Sequence, residues 1–467
     1  MGEIETDYLV VGAGASAMAF VDALLSNSEA QVVLVDRRHR AGGHWLDAYP
    51  FVRLHQPSAV YGVASRRLGE DRIDGVGPNA GFYERATSNE ICDYFARVLD
   101  QFLASGRVRF LAMHDYQGED ADGHQAVSLL TGAGTTIRAR KLVDATYIAS
   151  EVPSRHAPPY AIELGVRLVA PNDLVDVDEP PGGFTVIGAG KTAMDTCNWL
   201  LDAGVDPNHI QWIRPRDPWL FDRRVFQPLQ LVGSYMEMQA RWVEAAAEAE
   251  DGADFARRLE ASGVFLRIDP EVEPDIYRGP IISVRELEAL QTVERVVRKG
   301  KVRNIAVHHI SLEEGEVPTQ PDCLHVDCTA AGLRTVPERP IFFGDRITLQ
   351  YVTIAGACWS AAAVGAVEAL REDDAEKNRL CPPLGYTGNA SDLLRIARVG
   401  MMGQVARSAE PDLAAWDASC RLNPAQAVRE HLNDPRVASA FASIASNVGP
   451  ALRNLARRAA EPTATPT

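Results

Sequence analysis

Several things are scarce in this sequence, and each scarcity excludes a class of protein. No apolar run reaches the ~18 residues that a membrane-spanning helix needs. No basic stretch precedes the first apolar run at Tyr8–Val11, so neither a membrane partner nor a secretory leader is expected. Positive charge is in short supply: 47 Lys and Arg stand against 63 Asp and Glu, for a formal charge of −16. That argues against a nucleic-acid partner, because phosphate binding calls for a basic surface. The seven cysteines, Cys92, Cys197, Cys323, Cys328, Cys358, Cys381 and Cys420, are scattered and odd in number, which predicts a reducing, cytoplasmic setting rather than a disulfide framework. No Cys/His set has zinc spacing. His308 and His309 are adjacent on a predicted strand and would point to opposite faces, so no metal is expected. What remains is a chain of 467 residues, 46% hydrophobic and 24% charged, long enough for two or three domains around a large core.

The strongest positive signal is an internal echo. Residues 7–36 read DYLVVGAGASAMAFVDALLSNSEAQVVLVD, and residues 183–214 read GFTVIGAGKTAMDTCNWLLDAGVDPNHIQWIR. At an offset of 176, Gly12, Gly14, Ala17, Met18, Leu24 and Leu25 recur as Gly188, Gly190, Ala193, Met194, Leu200 and Leu201. Each copy reads as strand, Gly-rich turn, helix, strand. Between them a helix is expected near Ser88–Leu103 with Ser88 as N-cap, then strands near Val108–Ala112, Ala126–Leu130 and Leu142–Ala145. A Pro-rich connection (Pro153, Pro158, Pro159, Pro171, Pro180, Pro181) reads as a linker. A helix follows near Ser234–Glu248, then strands near Val302–His309, Ser311–Glu316 and Leu324–Thr329, and a strand and helix over 345–371. The last ninety residues read as mostly helical, ending in a disordered EPTATPT tail.

The two copies carry recognisable chemistry. In Gly12-Ala13-Gly14-Ala15-Ser16-Ala17, Gly12 permits a tight turn, Gly14 lets the backbone approach a diphosphate, and Ala17 allows close helix–strand packing. The helix start, at Ala15 and Ser16, offers oriented N–H donors to the anion. Asp36 ends the next strand, where a carboxylate accepts from ribose hydroxyls. The second copy has Gly188, Gly190, Lys191, Thr192 and Ala193, but Arg214 stands where the first has its acid, with Arg216 two residues on. A carboxylate repels a 2′-phosphate and a guanidinium clamps one. Charge therefore assigns FAD to the Asp36 site and NADPH to the Arg214/Arg216 site. Arg223 and Arg224, after Pro218-Trp219-Leu220-Phe221, stand either as an extension of that phosphate cradle, with Arg224 the candidate, or as surface residues.

A third signal follows Asp36: Arg37-Arg38-His39-Arg40-Ala41-Gly42-Gly43-His44-Trp45, then Tyr49-Pro50 and Arg53-Leu54-His55-Gln56-Pro57-Ser58 with Tyr61. This run resembles the class B flavoprotein monooxygenases: flavin-containing monooxygenases, Baeyer–Villiger monooxygenases and N-hydroxylases. Members carry an acid, a basic stretch, Gly-Gly-x-Trp, and a Tyr-Pro…Ser…Tyr segment lining the flavin. The resemblance covers most of 5–65 and 183–216 and becomes general through 300–371. It implies an α/β fold with two Rossmann-like domains and a mostly helical C-terminal region, divided as 1–175 (FAD, first part), 176–300 (NADPH, with a helical insertion), 301–375 (FAD, second part), 376–460 (helical) and 461–467 (tail). It implies that Arg37, Gly42, Gly43, His44 and Trp45 border FAD, that Arg53 to Ser58 approach its ring, and that Asp327-Cys328-Thr329-Ala330-Ala331-Gly332 ends near FAD, with Ala331 and Gly332 at the close approach.

Departures from the family narrow the activity. Baeyer–Villiger enzymes carry Asp in the Tyr-Pro…Ser segment, where this chain has His55. Their Phe-x-Gly…His…Trp-Pro fingerprint is replaced by Thr146-Tyr147…Arg155-His156-Ala157-Pro158-Pro159. Flavoprotein disulfide reductases place a cysteine pair after the Gly-Gly or in the NADPH domain. Here Gly43-His44-Trp45 holds none, and Cys328 reads as a buried small hydrophobe in its strand. The expectation is that hydride passes from NADPH to FAD, and that a C4a-hydroperoxide formed with molecular oxygen transfers oxygen to a small nitrogen or sulfur nucleophile. His55 and Gln56 are the candidates for catalytic groups near C4a. An NADPH-dependent flavin reductase or dehydrogenase and a non-catalytic NADPH sensor are the alternatives. A homo-oligomer is left open.

Overall fold

A computed structural model describes residues 2–330, 332–353, 356–385 and 387–460. The expected α/β fold with two parallel sheets is present. In the first sheet, β1 (Gly2–Val11) is central, because its apolar Leu9-Val10-Val11 run lies between two parallel neighbours. On one side is β2 (Val32–Asp36), then β3 (Val108–Ala112). On the other is the strand Gly134–Asp144, followed by the short parallel strand Arg346–Thr348. α1 (Ala15–Asn27) crosses from β1 to β2, and its residues Met18, Phe20, Val21 and Leu24 are fully buried. Burying each such side chain stabilises the fold by about 1.5–3 kcal/mol. α2 (Ser88–Ala104) starts one residue earlier than a Ser88 cap requires: Thr87 caps it, in a reciprocal capping box with Glu90. The strand expected at Ala126–Leu130 is displaced to Gly123–Ser128, in a hairpin with His114–Asp120.

The second sheet repeats the plan. Gly183–Ile187 is flanked by Ile210–Ile213 and Cys323–Asp327, all parallel, with Val296–Val297 and Arg167–Val169 at the edges. α3 (Lys191–Asp202) is its fingerprint helix. α4 (Val232–Glu248), α5 (Gly252–Ala261) and α6 (Val284–Gln291) follow. The strand pairing moves the expected division points. Arg167–Val169, inside the Pro-rich connection, already belongs to the second sheet. The strands between 302 and 318 pair with one another and with Ala161–Ile162, Cys323–Asp327 lies in the second sheet, and the chain rejoins the first sheet near residue 342, not at 301. Cys328 lies just past its strand, and His309 begins a strand that excludes His308. Pairing with distant strands, rather than local propensity, sets these limits.

α7 (Ala357–Leu370) returns the chain against α1. Its small residues let the backbones approach so closely that a Cβ on Gly365 would fall 2.5 Å from the Phe20 carbonyl oxygen. α8 (Asp374–Leu380), α9 (Leu393–Ser408), α10 (Pro411–Ser419) and α11 (Pro435–Ala460) form the expected helical C-terminal region. α11 packs along α4, with Ala451 and Leu455 in the core there. Among the described residues no helix is long and apolar enough to cross a membrane. The tail expected to be disordered, 461–467, lies outside the described residues.

Candidate functional site

The two fingerprints repeat atom for atom. Gly12 N–H donates to Val35 O at 2.8 Å, and Gly188 N–H donates to Ile213 O at 3.0 Å. Met18 and Met194 N–H close the first helical turns on Gly14 and Gly190. Both turn glycines have left-handed backbones, Gly12 at φ +102° and Gly188 at φ +140°, which a side chain would strain. Asp36 and Arg214 each follow the residue that accepts the glycine N–H, so they are structurally equivalent. Neither α1 nor α3 has a side-chain cap, so the N–H groups at Ala15, Ser16 and Ala17, and at Lys191 and Thr192, are open to an anion, while Ala193 N–H donates to Gly190 O at 3.1 Å.

The first site is tightly ordered. Asp36 is buried and accepts from Ala13 N–H at 2.6 Å and Arg38 N–H at 2.7 Å. Gly43, at φ +59°, packs on Gly14 so closely that a Cβ there would lie 2.8 Å from Gly14 Cα. Trp45 is buried in the core, and its indole N–H donates to Tyr61 OH at 2.7 Å. Arg37 is exposed and pairs with Asp115, pointing away from the turn's core. Ser58 is buried, and its hydroxyl accepts from Ala86 N–H at 2.8 Å. Gln56 donates to Val60 O at 3.2 Å.

His44, beside Trp45, has its imidazole pulled down to about 4 by burial, with the Arg38 charge adding to the effect. Above about pH 6.5 the ring is neutral folded or unfolded and contributes no pH dependence. Below that value the unfolded chain takes up a proton that the folded chain refuses. Stability is therefore expected to fall between about pH 6.5 and pH 4, and His44→Gln is expected to flatten part of that slope in thermal melts across the window.

In the second site the candidate arginines point in different directions. Arg214 is 1% exposed, paired with Asp217 at 2.9 Å, and lies 4.5 Å over the Trp212 ring. Its Nε and Nη1 have no hydrogen-bond partner among the described residues, and burial lowers its pKa. Arg216 turns outward to Asp275 and Asn389, and Arg224 to Asp222 and Gly263. Arg223, not Arg224, faces the interior. Gly332 pairs with Glu151, and Ala331 lies outside the described residues. The strand leading to them lies beside Gly188, not Gly12: a Cβ on Gly188 would fall 2.8 Å from Cys328 O. The element next to Gly12 is Ala145-Thr146.

These neighbours form a second echo that was not read from the sequence. Val143-Asp144-Ala145-Thr146 and Val326-Asp327-Cys328-Thr329 each end the strand beside a fingerprint. In each, the Asp Oδ1 accepts from both the backbone N–H and the hydroxyl of the Thr two residues on. A search for repeats shorter than the fingerprint would have found the shared Val-Asp-x-Thr.

Between the sites lies a charged cluster. Tyr49 OH donates to Asp195 Oδ2 at 2.7 Å, and Lys191 also pairs with Asp195. Phe51 stacks on Trp199 at 4.9 Å. Glu286, in the first turn of α6, sits 3.1 Å from Arg85 and 2.6 Å from Arg223, all three buried. Arg223 Nε donates to His55 O at 3.3 Å, and Arg85 Nη1 to Leu54 O at 3.2 Å. The Tyr49–Ser58 segment is thus tied to α3 and α6. His55 is held well below the ordinary imidazole value by burial, then by Lys191, Arg223 and Arg85, so its ring is neutral at pH 7. Burial and Arg85 pull Arg223 down to about 10. The seven cysteines are free and buried. Burial pushes Cys328 up to about 12 and raises Cys197, which suits small hydrophobes rather than reactive thiolates.

The fold is that of the solved monooxygenase structures on which the chain superposes. The chain superposes on an open crystal structure of cyclohexanone monooxygenase with a TM-score of 0.52 at 14% identity, covering 87% of this chain and 99% of that one. It superposes on cyclohexanone monooxygenase from Rhodococcus sp. Phi1 bound to NADP+ with a TM-score of 0.52 at 13% identity, covering 88% and 98%. At such identities the likeness is one of fold. No family model matches. The chain belongs to the family of Uncharacterized protein Rv2000 of Mycobacterium tuberculosis, to which it is 44% identical over 422 residues, 90% of this chain and 78% of that one. Uncharacterized protein Mb2023 of Mycobacterium bovis matches equally.

Proposed function

We propose that this protein is a FAD- and NADPH-dependent monooxygenase that oxidises a small nitrogen or sulfur nucleophile with molecular oxygen. The observation that carries the reading is the doubled fingerprint with an acid and a base at equivalent positions. Both sites fit their nucleotides. The first has the Gly14–Gly43 approach, which leaves no room for a Cβ, and the Asp36 carboxylate at the strand end. The second has open space at Gly190, where an added Cβ would meet nothing within 4 Å, and the unpartnered Arg214 Nε and Nη1. When bound, NADPH would supply hydride, and FAD would accept it and activate oxygen. The chain's own residues would bind and orient: the α1 and α3 starts would hold the diphosphates, Asp36 would hold a ribose, and Arg214, pinned by Asp217, would offer its unpartnered Nε and Nη1 to the 2′-phosphate. His55 and Gln56 offer neutral hydrogen-bonding groups beside the ring, and the Tyr49–Asp195 and Arg85–Glu286–Arg223 contacts hold that segment against the second domain. His55, in place of the Baeyer–Villiger Asp, supports a soft nucleophile rather than a ketone.

The test is steady-state oxidation by the yellow, flavin-loaded protein. NADPH is expected to be used at least about tenfold more efficiently than NADH, a difference of roughly 1.4 kcal/mol. A substrate is expected to divert oxygen from hydrogen peroxide to oxidised product. A preference for NADH would overturn the assignment of the second site. Peroxide as the sole oxygen product across nitrogen and sulfur nucleophiles would leave a reductase, and no NADPH oxidation at all would leave a nucleotide-binding sensor.

A further inference from the structure

The arm between Tyr61 and Ala86 and the outer face of α2 enclose a cleft of about 840 Å³. It lies within the range of about 300–1,000 Å³ typical of small-molecule sites. Its lining includes Arg53, Arg66, Arg67, Arg72, Arg85 and Arg97 but no residue of either glycine fingerprint. This concentration of guanidinium groups is unusual in a chain of net charge −16. Five acids share the wall, Glu70, Asp74, Glu84, Glu90 and Asp93, so the selectivity rests on which arginines are left unpaired. Glu70 pairs with Arg67 at 3.2 Å and Glu84 with Arg72 at 3.4 Å. Asp74 accepts from Asn79, and Glu90 caps α2 at Thr87. Arg66 and Arg97 have no side-chain partner among the described residues, and Arg53 makes a single hydrogen bond, to Arg85 O at 3.1 Å.

Arg85 gives the cleft a built floor. The residue is 9% exposed, and its Nε has no hydrogen-bond partner among the described residues. Its other nitrogens are held by Leu54 O and Glu286. A buried N–H left unpaired is costly, and an oxygen ligand would relieve that cost. Fixed guanidinium forks match carboxylate and phosphoryl groups, which accept two parallel N–H bonds.

We infer that this cleft is a binding site for a small-molecule oxyanion, a carboxylate or phosphoryl compound, that uses neither glycine fingerprint and meets the flavin-side segment only at Arg53 and Ser58. Arg66, Arg97 and Arg53 engage the anion, and Arg85 closes the floor. The site goes beyond the proposed oxidation and does not depend on it.

Calorimetric titration of the full chain as purified, with citrate in one arm and inorganic pyrophosphate in the other, both in the presence of saturating NADP+, tests this directly. Saturable binding is expected in at least one arm: citrate alone assigns a carboxylate ligand, pyrophosphate alone a phosphoryl ligand, and both the shared oxyanion chemistry. Arg66→Ala and Arg97→Ala are each expected to weaken binding about tenfold, the equivalent of one charge-assisted hydrogen bond. Melting temperatures of these two surface variants serve as the folding control. Failure of both probes to saturate, or unchanged affinity in both folded variants, would overturn the site. NADPH oxidation is not read in this experiment, so a failed monooxygenase assignment would leave its outcome intact.

Discussion

Gly43→Ala is expected to yield a folded protein that has lost most of its flavin. Gly43 has φ +59°, a left-handed backbone that costs an L-residue about 1–2 kcal/mol. Its added Cβ would also lie 2.8 Å from Gly14 Cα, and a backbone atom cannot rotate aside as the end of a flexible side chain can. The turn at Gly14 must therefore move, and that turn is where the diphosphate meets the N-terminus of α1. Ala13 N–H, held by Asp36 on the same turn, would be dragged with it. Gly190→Ala supplies the contrast. Gly190 has φ −86°, and an added Cβ there meets nothing within 4 Å, so the fold should tolerate it while the methyl intrudes on the space a nucleotide would fill. The flavin absorbance per protein after gel filtration is expected to fall at least about tenfold in Gly43→Ala, since a strain of about 1–2 kcal/mol at the contact is compounded by displacement of the donors. In Gly190→Ala it should stay at the parent level while NADP+ affinity drops. Full flavin retention in Gly43→Ala would remove the Gly14–Gly43 contact from the binding site.

These two positions also show what can be read from the chain alone. The strand–turn–helix copies were legible because their determinants are local: a turn glycine, a helix start and an apolar run lie within thirty residues of one another. The equivalence of Asp36 and Arg214 was legible for the same reason. What was not legible depends on long-range contact. The sequence does not show that Asp217, three residues on, and the Trp212 ring hold the Arg214 guanidinium inside the fold with Nε and Nη1 unpartnered among the described residues. Arg223 and Arg224 are indistinguishable in sequence, and only the partner Glu286, more than sixty residues downstream, selects Arg223. Tyr49 and Asp195 stand 146 residues apart. The division at residue 301 failed because the strand Cys323–Asp327 finds its partner at Gly183–Ile187 rather than in the first sheet.

Glu286→Gln is expected to be the most destabilising single change in the cluster between the two sites. Glu286 is the carboxylate within ion-pair distance of both Arg85 and Arg223, and all three groups are buried. Burial alone would push its carboxyl up, but Arg223, Lys191 and Arg85 outweigh that and hold it well below the usual carboxylate range. Removing one partner of a buried ion pair costs about 3–5 kcal/mol, because the remaining charge is left desolvated and unopposed. Here two guanidinium groups would be left so. Glutamine isolates the charge, because its amide oxygen can still accept from Ser283 N–H and preserve much of the α6 cap. The depressed pKa fixes the sign of the pH dependence. The contribution is fully present above the unfolded carboxylate value of about 4.3 and is lost as pH falls below it toward the lower folded value. Urea unfolding is therefore expected to show a loss of about 3–5 kcal/mol in the variant at pH 7, and a smaller gap between variant and parent at pH 3. The triple change Arg85→Met, Arg223→Met, Glu286→Leu should recover most of the stability, since an apolar set can replace a buried ionic one at little net cost. It should not recover NADPH-driven turnover, because the backbone of His55 loses its Arg223 donor and the Tyr49–Ser58 segment its tie to α6. A loss below about 0.5 kcal/mol in Glu286→Gln would mean that water reaches the arginines and that the cluster does not hold the two domains in register.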